Sequence, residues 1–194
     1  MYLIVILGGL VSLAFTFSYI KATLRGRVKP NKVTWLIWSI APLISTAAAL
    51  SSGVSWAVLP VFMAGFGPLL VFIASFLNKE AYWRIARFDY ICGVISILAL
   101  VGWYLTQDPI VAILLSILSD FLAAIPTLLK GWCFPETENG FLFLGGIFSA
   151  GSSFTVMQSW NLTETAFPSY LILLSLSMFL VIEGRRKYLN KRVY

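Results

Sequence analysis

Long apolar stretches separated by short polar breaks cover almost the whole chain. They lie at roughly residues 2–20, 33–50, 55–77, 88–105, 110–129, 140–157 and 166–183. A helix needs about 20 predominantly apolar residues, within a range of about 17–25, to cross the hydrocarbon core of a membrane. The pattern therefore predicts an all-α integral membrane protein with seven transmembrane helices joined by short loops.

The composition narrows the class of protein further. The 194 residues are 59% hydrophobic and 11% charged, whereas soluble domains are about 45–50% apolar and about 25% charged. The chain contains no histidine, and its two cysteines, Cys92 and Cys133, lack CxxC spacing. Histidine-based catalysis, imidazole metal ligation and a disulfide framework are therefore excluded. We expect no enzymatic activity, no cofactor and no metal site.

The basic residues follow every second predicted helix. All 14 lysines and arginines follow predicted helices 1, 3, 5 and 7, within residues 21–32, 79–87, 130 and 185–192. The intervening loops carry Asp108 and Glu164. Because short loops rich in Lys and Arg stay in the cytoplasm, this asymmetry predicts an outside N-terminus and a cytoplasmic C-terminus. The net charge of +6 then serves membrane insertion and attraction to anionic lipid, and nucleic-acid binding is not needed to explain it.

Short matches between the two halves suggest an internal repeat. Ser12, Thr16 and Thr23 on the first predicted helix have the same mutual spacing as Ser116, Asp120 and Thr127 on the fifth. Both halves also have an inner first loop and an outer second loop, with one helix left between them. We therefore expect a 3+1+3 parallel repeat of three-helix bundles: residues 1–80, a linker helix within 81–107, and residues 108–194 with a basic cytoplasmic tail.

The segment after the linker resembles a known family. It reads DFLAAIPTLLK from Asp120 to Lys130 and continues to Pro135 and Glu136. This resembles the proline-bearing helix and basic loop of PQ-loop transporters, the superfamily of SWEET sugar carriers and lysosomal amino-acid exporters, although Thr127 stands where that family often has Gln. The resemblance covers the layout of the whole chain. It implies alternating access by two three-helix bundles, with a solute bound between them near the membrane midplane.

Asp120 is the principal candidate for a functional residue. It lies about halfway along the fifth predicted helix, where inserting an ionised carboxylate costs at least about 2.5–3.5 kcal/mol. Ser116, Asp120 and Thr127 fall on one polar helical stripe, which is expected to face the bundle interior. Asp120 is therefore expected either to bind solute or a proton, or to accept hydrogen bonds from a neighbouring helix in a purely structural role.

Several other residues are candidates for the same site or for the motion around it. Thr16 and Tyr19 lie on a small polar face of the first helix, which close helix packing would equally explain. Trp38 is expected either to stack on a solute or to be an interfacial-belt or core residue. The intramembrane prolines Pro42, Pro68 and Pro126 are candidate hinges, although kinked packing would also explain them.

Four further acids are expected to have structural or solvent-exposed roles. Asp89 is expected to cap the fourth helix, and Glu136, Glu138 and Glu183 are expected to be solvated.

Two classes of function fit this layout. The first is a membrane carrier for a small polar solute, either a uniporter or proton-coupled. The second is a seven-helix receptor or accessory protein that binds a ligand or partner without transport. Loops this short offer little surface to a protein partner, which favours the carrier. We expect the partners to be the solute and the lipid bilayer, and a homo-oligomer is possible. We expect a multi-pass protein of the bacterial inner membrane.

Overall fold

The computed structural model describes residues 2–51, 59–81, 83–105, 109–157 and 160–191. Within these ranges the secondary structure is helical throughout, which confirms the all-α prediction. The seven α-helices are α1 (Tyr2–Leu24), α2 (Lys32–Ser51), α3 (Leu59–Ala74), α4 (Arg87–Leu105), α5 (Pro109–Cys133), α6 (Phe141–Ser153) and α7 (Leu162–Asn190). Single 3₁₀ turns at Lys79–Ala81 and Pro135–Thr137 precede α4 and α6. Residues 55–58, Asp108 and Arg192, to which the sequence predictions also refer, lie outside the described residues.

Local side-chain chemistry explains where several helices begin and end. Gly26 follows α1 with φ 71°, a left-handed conformation that glycine adopts without steric cost. The Arg27 N–H bonds the Ala22 carbonyl at 3.0 Å, which makes this end a Schellman motif. At the start of α2, the Asn31 side chain accepts from the Val33 N–H at 3.1 Å.

The expected role of Asp89 as a helix cap is confirmed. Its Oδ2 accepts from the Ala86 N–H at 2.6 Å, at the start of α4. Its other oxygen, Oδ1, accepts from Asn31 Nδ2 at 3.0 Å. The same carboxylate therefore caps α4 and ties it to the beginning of α2.

Six of the helices form a closed ring. α3 packs against α1 and α2, and α7 packs against α5 and α6. The ring closes where α1 packs against α6 and where α2 packs against α5. α4 packs against α5 and α2, and its exposed side chains include Ile91, Val94 and Leu98. It therefore lies outside the ring, beside the α2–α5 junction.

Small residues allow α1 and α6 to approach closely. A Cβ atom added at Gly145 of α6 would lie 3.0 Å from the Ser12 Cα of α1. One added at Gly8 of α1 would lie 2.7 Å from the Ser152 Oγ of α6. Close backbone approach of this kind is typical of helix packing in membranes, where small residues line the contact.

Length and composition indicate a membrane protein. Within the described residues three helices are long and apolar enough to cross a membrane, over Leu3–Leu24, Ile113–Cys133 and Glu164–Asn190. Large apolar side chains also cover the outside, among them Leu3, Leu98 and Leu180, which are 67%, 63% and 58% exposed. Soluble monomers rarely expose contiguous apolar surface on this scale.

The basic segments meet at one end of the helix ring. Asn78 Nδ2 donates to the Leu24 carbonyl at 2.8 Å, the Lys29 N–H donates to the Thr137 carbonyl at 2.9 Å, and Arg186 Nη2 donates to the Pro135 carbonyl at 2.9 Å. We call this region, comprising residues 21–32, 75–81, 83–89, 130–140 and 183–191, the basic end. The three bonds thus join four of these five stretches, which are distant in sequence, into one layer.

Candidate functional site

A cavity of about 150 Å³ lies inside the ring, well above the roughly 10–15 Å³ that a single water requires. All six ring helices contribute to its lining, which is mainly apolar. The polar side chains in the described lining are Ser12, Thr16, Asp120, Ser149, Ser153 and Ser175. The cavity runs from the middle of the helices towards the end opposite the basic end, where Val61 and Phe167 line it.

Asp120 lies in the wall of this cavity, close to the middle of α5. Its Oδ2 accepts from the Tyr170 hydroxyl of α7 at 2.7 Å. Its backbone carbonyl accepts from Trp38 Nε1 of α2 at 3.2 Å. The carboxylate is therefore oriented by α7, while α2 bonds the backbone of the same residue from the other side of α5.

Five of the sequence-predicted residues line the cavity: Asp120, Thr16, Trp38, Pro42 and Pro68. Thr16 is 3% exposed and stands next to Gly67, where an added Cβ would lie 3.2 Å from Thr16 Oγ1. Thr16 and Asp120 thus lie on opposite sides of the ring, on α1 and α5.

Ser116, Thr127 and Pro126 share α5 with Asp120 but are not part of the described lining. Thr127 is fully buried and donates to Thr34 Oγ1 at 3.0 Å. Thr34 in turn donates to the Ala123 carbonyl at 2.8 Å, in the turn that precedes Pro126. Proline disturbs backbone bonding in the preceding turn, and hydroxyl side chains commonly satisfy the carbonyls there. Thr34, Thr127 and the Ala123 carbonyl thus form a polar contact between α2 and α5.

Tyr19 lies outside the cavity, in a buried charged cluster at the basic end. Its hydroxyl donates to Glu138 Oε2 at 2.7 Å, and Lys130 Nζ donates to Glu138 Oε1 at 2.7 Å. Lys130 Nζ also donates to the Lys29 carbonyl and lies 4.6 Å from the centre of the Trp83 ring. We call these five residues the Lys130 network.

The expectation that Glu138 and Glu183 are solvated is therefore wrong. The Glu138 side chain is 0% exposed and the Lys130 side chain 1% exposed, because loops from both halves of the chain close over them. Glu183 is part-buried; it accepts from the Gly140 N–H at 3.0 Å and pairs with Arg186 at 2.7 Å. Glu136 is exposed, as expected.

Aromatic side chains connect the Lys130 network to the cavity. The Tyr19 and Trp35 ring centroids are 5.2 Å apart, and those of Trp35 and Trp38 are 5.3 Å apart. Trp35 and Trp38 both line the cavity. A continuous buried column therefore separates Asp120 from the surface of the basic end.

The sequence interpretation missed Tyr170, Glu138 and Lys130 as site components. Tyr170 is a single tyrosine in an apolar stretch, and no periodic pattern marks it. Lys130 and Glu138 carry opposite charges eight residues apart around a short loop, and that spacing was the available signal. Within the part of the chain that the structure describes, no group of three or more His, Cys, Asp or Glu side chains forms a potential metal site.

Comparison with protein-family models, with curated proteins and with solved structures finds no match for this chain.

Proposed function

We propose that this chain is a membrane carrier that moves a small solute by alternating access between two three-helix units. Residues 1–80 form the first unit, residues 108–194 the second, and α4 is the linker between them, as the resemblance to PQ-loop and SWEET-like transporters implies. In this proposal all seven helices cross the membrane. The basic end faces the cytoplasm, and the membrane is the bacterial inner membrane.

The packing of the helices supports two parallel units. In each unit the third helix packs against the first and the second. Exchanging α1 with α5, α2 with α6 and α3 with α7 converts the α1–α6 contact into the α5–α2 contact, and both contacts are present. A two-fold axis along the membrane normal would relate parallel repeats in this way.

The central cavity is the observation that carries the proposal. Both units line it, and Asp120 is the charged residue in its described lining. The Lys130 network joins α1 and the first loop to α5 and the loop after it, so it closes the basic end across the boundary between the units. Rocking of the units that breaks this network would expose the cavity to the cytoplasm.

An uptake screen in proteoliposomes, with and without an imposed pH gradient, tests the carrier. Two variants provide a matched pair. Ala64→Phe fills the cavity that Ala64 lines, whereas Leu98→Phe adds the same ring on the exposed face of α4. A carrier should lose uptake with Ala64→Phe and keep it with Leu98→Phe. Saturable binding of a solute with no uptake would instead favour the receptor alternative.

A further inference from the structure

We propose that the cavity takes a small organic cation that carries a single positive charge and apolar substituents. The cavity is the one on which the proposed function depends, and the inference assigns the chemical class of its ligand. It follows from the charge of the lining, the aromatic residues beside that charge, and the apolar character of the remaining wall.

The charge of the lining is one-sided. Among the described lining residues Asp120 is the charged one, and none is Lys or Arg. The nearest basic residue along α5 is Lys130, about 15 Å further along the helix axis at 1.5 Å per residue and paired with Glu138 at 2.7 Å. A carboxylate in an apolar wall lacks a fixed counter-ion there, and a bound cation would supply one.

The bonding of Asp120 leaves room for such a ligand. Tyr170 donates to Oδ2, and in the described parts of the chain no donor is placed against Oδ1. The tyrosine also fixes the orientation of the carboxylate, because the 2.7 Å bond ties it to α7. One oxygen is therefore held by the protein while the other is available to a ligand.

Aromatic rings flank the same position. Trp38 is within hydrogen-bond distance of the Asp120 backbone, and Trp35 packs edge-on against Trp38. Trp35, Trp38 and Asp120 line the same cavity, so a cation bound there shares the cavity with two indole rings, and the face of tryptophan attracts cations more strongly than that of any other side chain. An ammonium group with carbon substituents suits this pairing better than a metal ion, since its apolar surface contacts the rings.

The rest of the wall favours an apolar body over a sugar or an acid. Met63, Leu142, Phe143, Leu171 and Leu174 all line the cavity. A sugar would leave most of its hydroxyl groups against such side chains, and unpaired buried hydroxyls are costly. An anionic solute would meet the charge of Asp120 with no lining cation to offset it.

Ligand-induced thermal stabilisation of the purified full-length protein in lipid nanodiscs tests the proposal without requiring transport. The probes are tetramethyl- to tetrapropylammonium, and choline with its uncharged isostere 3,3-dimethylbutan-1-ol. 3,3-Dimethylbutanoate and glucose represent an anion and a sugar, and ionic strength is held constant with sodium chloride. Binding to the folded state raises the midpoint in a concentration-dependent way.

At least one ammonium probe should stabilise the protein saturably, with an affinity at least tenfold higher than the neutral isostere, the anion or the sugar. Asp120→Asn, which keeps an acceptor for Tyr170, should weaken that binding at least tenfold. Glu136→Gln makes the same chemical change at an exposed acid and should leave it unchanged. Where Asp120→Asn fails to fold, the comparison of choline with its isostere on the unmodified protein decides.

The proposal is overturned when no ammonium probe stabilises the protein, when the neutral isostere binds equally well, or when Asp120→Asn retains full affinity. Cation binding with no uptake in proteoliposomes would leave this site standing and remove the carrier. Uptake of an uncharged solute with no cation binding would support the carrier and overturn the cation site.

Discussion

Replacing Glu138 with Gln should destabilise the protein far more than the same replacement at an exposed acid. The change removes the negative charge that balances the buried Lys130 ammonium, and the single side-chain oxygen of Gln replaces the two that accept from Lys130 and Tyr19. Lys130 keeps its contacts with the Lys29 carbonyl and the Trp83 ring. Removing one partner of a buried ion pair costs about 3–5 kcal/mol. Because Lys130 keeps its contacts with Lys29 and Trp83, we expect the free energy of unfolding to fall by about 3 kcal/mol, at the low end of that range. At about 2–4 °C per kcal/mol for a chain of this size, the midpoint should fall by about 6–12 °C.

The assay is thermal inactivation of the purified protein, scored as the folded fraction remaining after heating at a fixed scan rate, since unfolding of such proteins is commonly irreversible. Lys130→Met and the double variant Lys130→Met/Glu138→Gln complete a double-mutant cycle. Removing both charges leaves no uncompensated ion. The midpoint of the double variant should therefore fall less than that of the less stable single variant. Glu136→Gln serves as the control, and its midpoint should stay within about 2 °C of that of the unmodified protein, as expected for a surface change of about 0.5 kcal/mol.

Additive losses in the cycle would refute the reasoning. They would mean that the side chains of Lys130 and Glu138 do not depend on each other, despite a 2.7 Å separation and almost complete burial. A midpoint for Glu138→Gln equal to that of the Glu136→Gln control would do so as well.

Three further predictions concern the site, the packing and the topology. Asp120→Asn should abolish solute accumulation driven by a pH gradient while the yield of folded protein is unchanged; undiminished gradient-driven uptake per folded protein would remove the coupling role. Gly145→Ala should destabilise by about 1–3 kcal/mol, because the new Cβ meets the α1 backbone at 3.0 Å. Gly151→Ala, with nothing within 4 Å, should be neutral or stabilising in the same heating assay; equal effects would contradict the packing argument. Reporter fusions after residues 30, 83, 134 and 190 should report the cytoplasm and those after 52, 107 and 162 the outside, and a cytoplasmic signal at 107 would overturn the proposed orientation.

The helices were predictable because apolar stretches of membrane-spanning length dominate the sequence. The residues at which the helices begin and end were less predictable. Helix α7 begins at Leu162 and continues to Asn190, beyond the predicted 166–183, because Arg and Lys favour helix as much as they mark a membrane boundary. The side-chain pair of Glu183 and Arg186 at 2.7 Å supports this extension, since residues three apart face each other on a helix.

The cavity lining was predictable where a residue's position along its own helix decided its surroundings. Asp120 and Thr16 line the cavity, since each lies on a polar stripe near mid-helix. Tyr19 belongs to the same stripe as Thr16, yet it bonds Glu138 instead, because it lies one turn closer to the basic end. Glu138 is buried against Tyr19 and Lys130, and Lys130 also donates to the Lys29 carbonyl. The contacts of Tyr19 with Glu138 and of Lys29 with Lys130 join residues more than 100 positions apart, and such contacts leave no periodic signal in the sequence.

The positions of the Lys130 network residues along the chain set the order in which their contacts become possible during synthesis. Glu138 follows Lys130 by eight residues, so the ion pair is available almost as soon as α5 has been made. Tyr19 precedes Glu138 by 119 residues, which at about 5–20 residues per second corresponds to a delay of about 6–24 s. During that interval the first three helices lack the acceptor that the Tyr19 hydroxyl bonds in the finished protein. A nascent chain that stops before Glu138 would therefore keep an unclosed basic end.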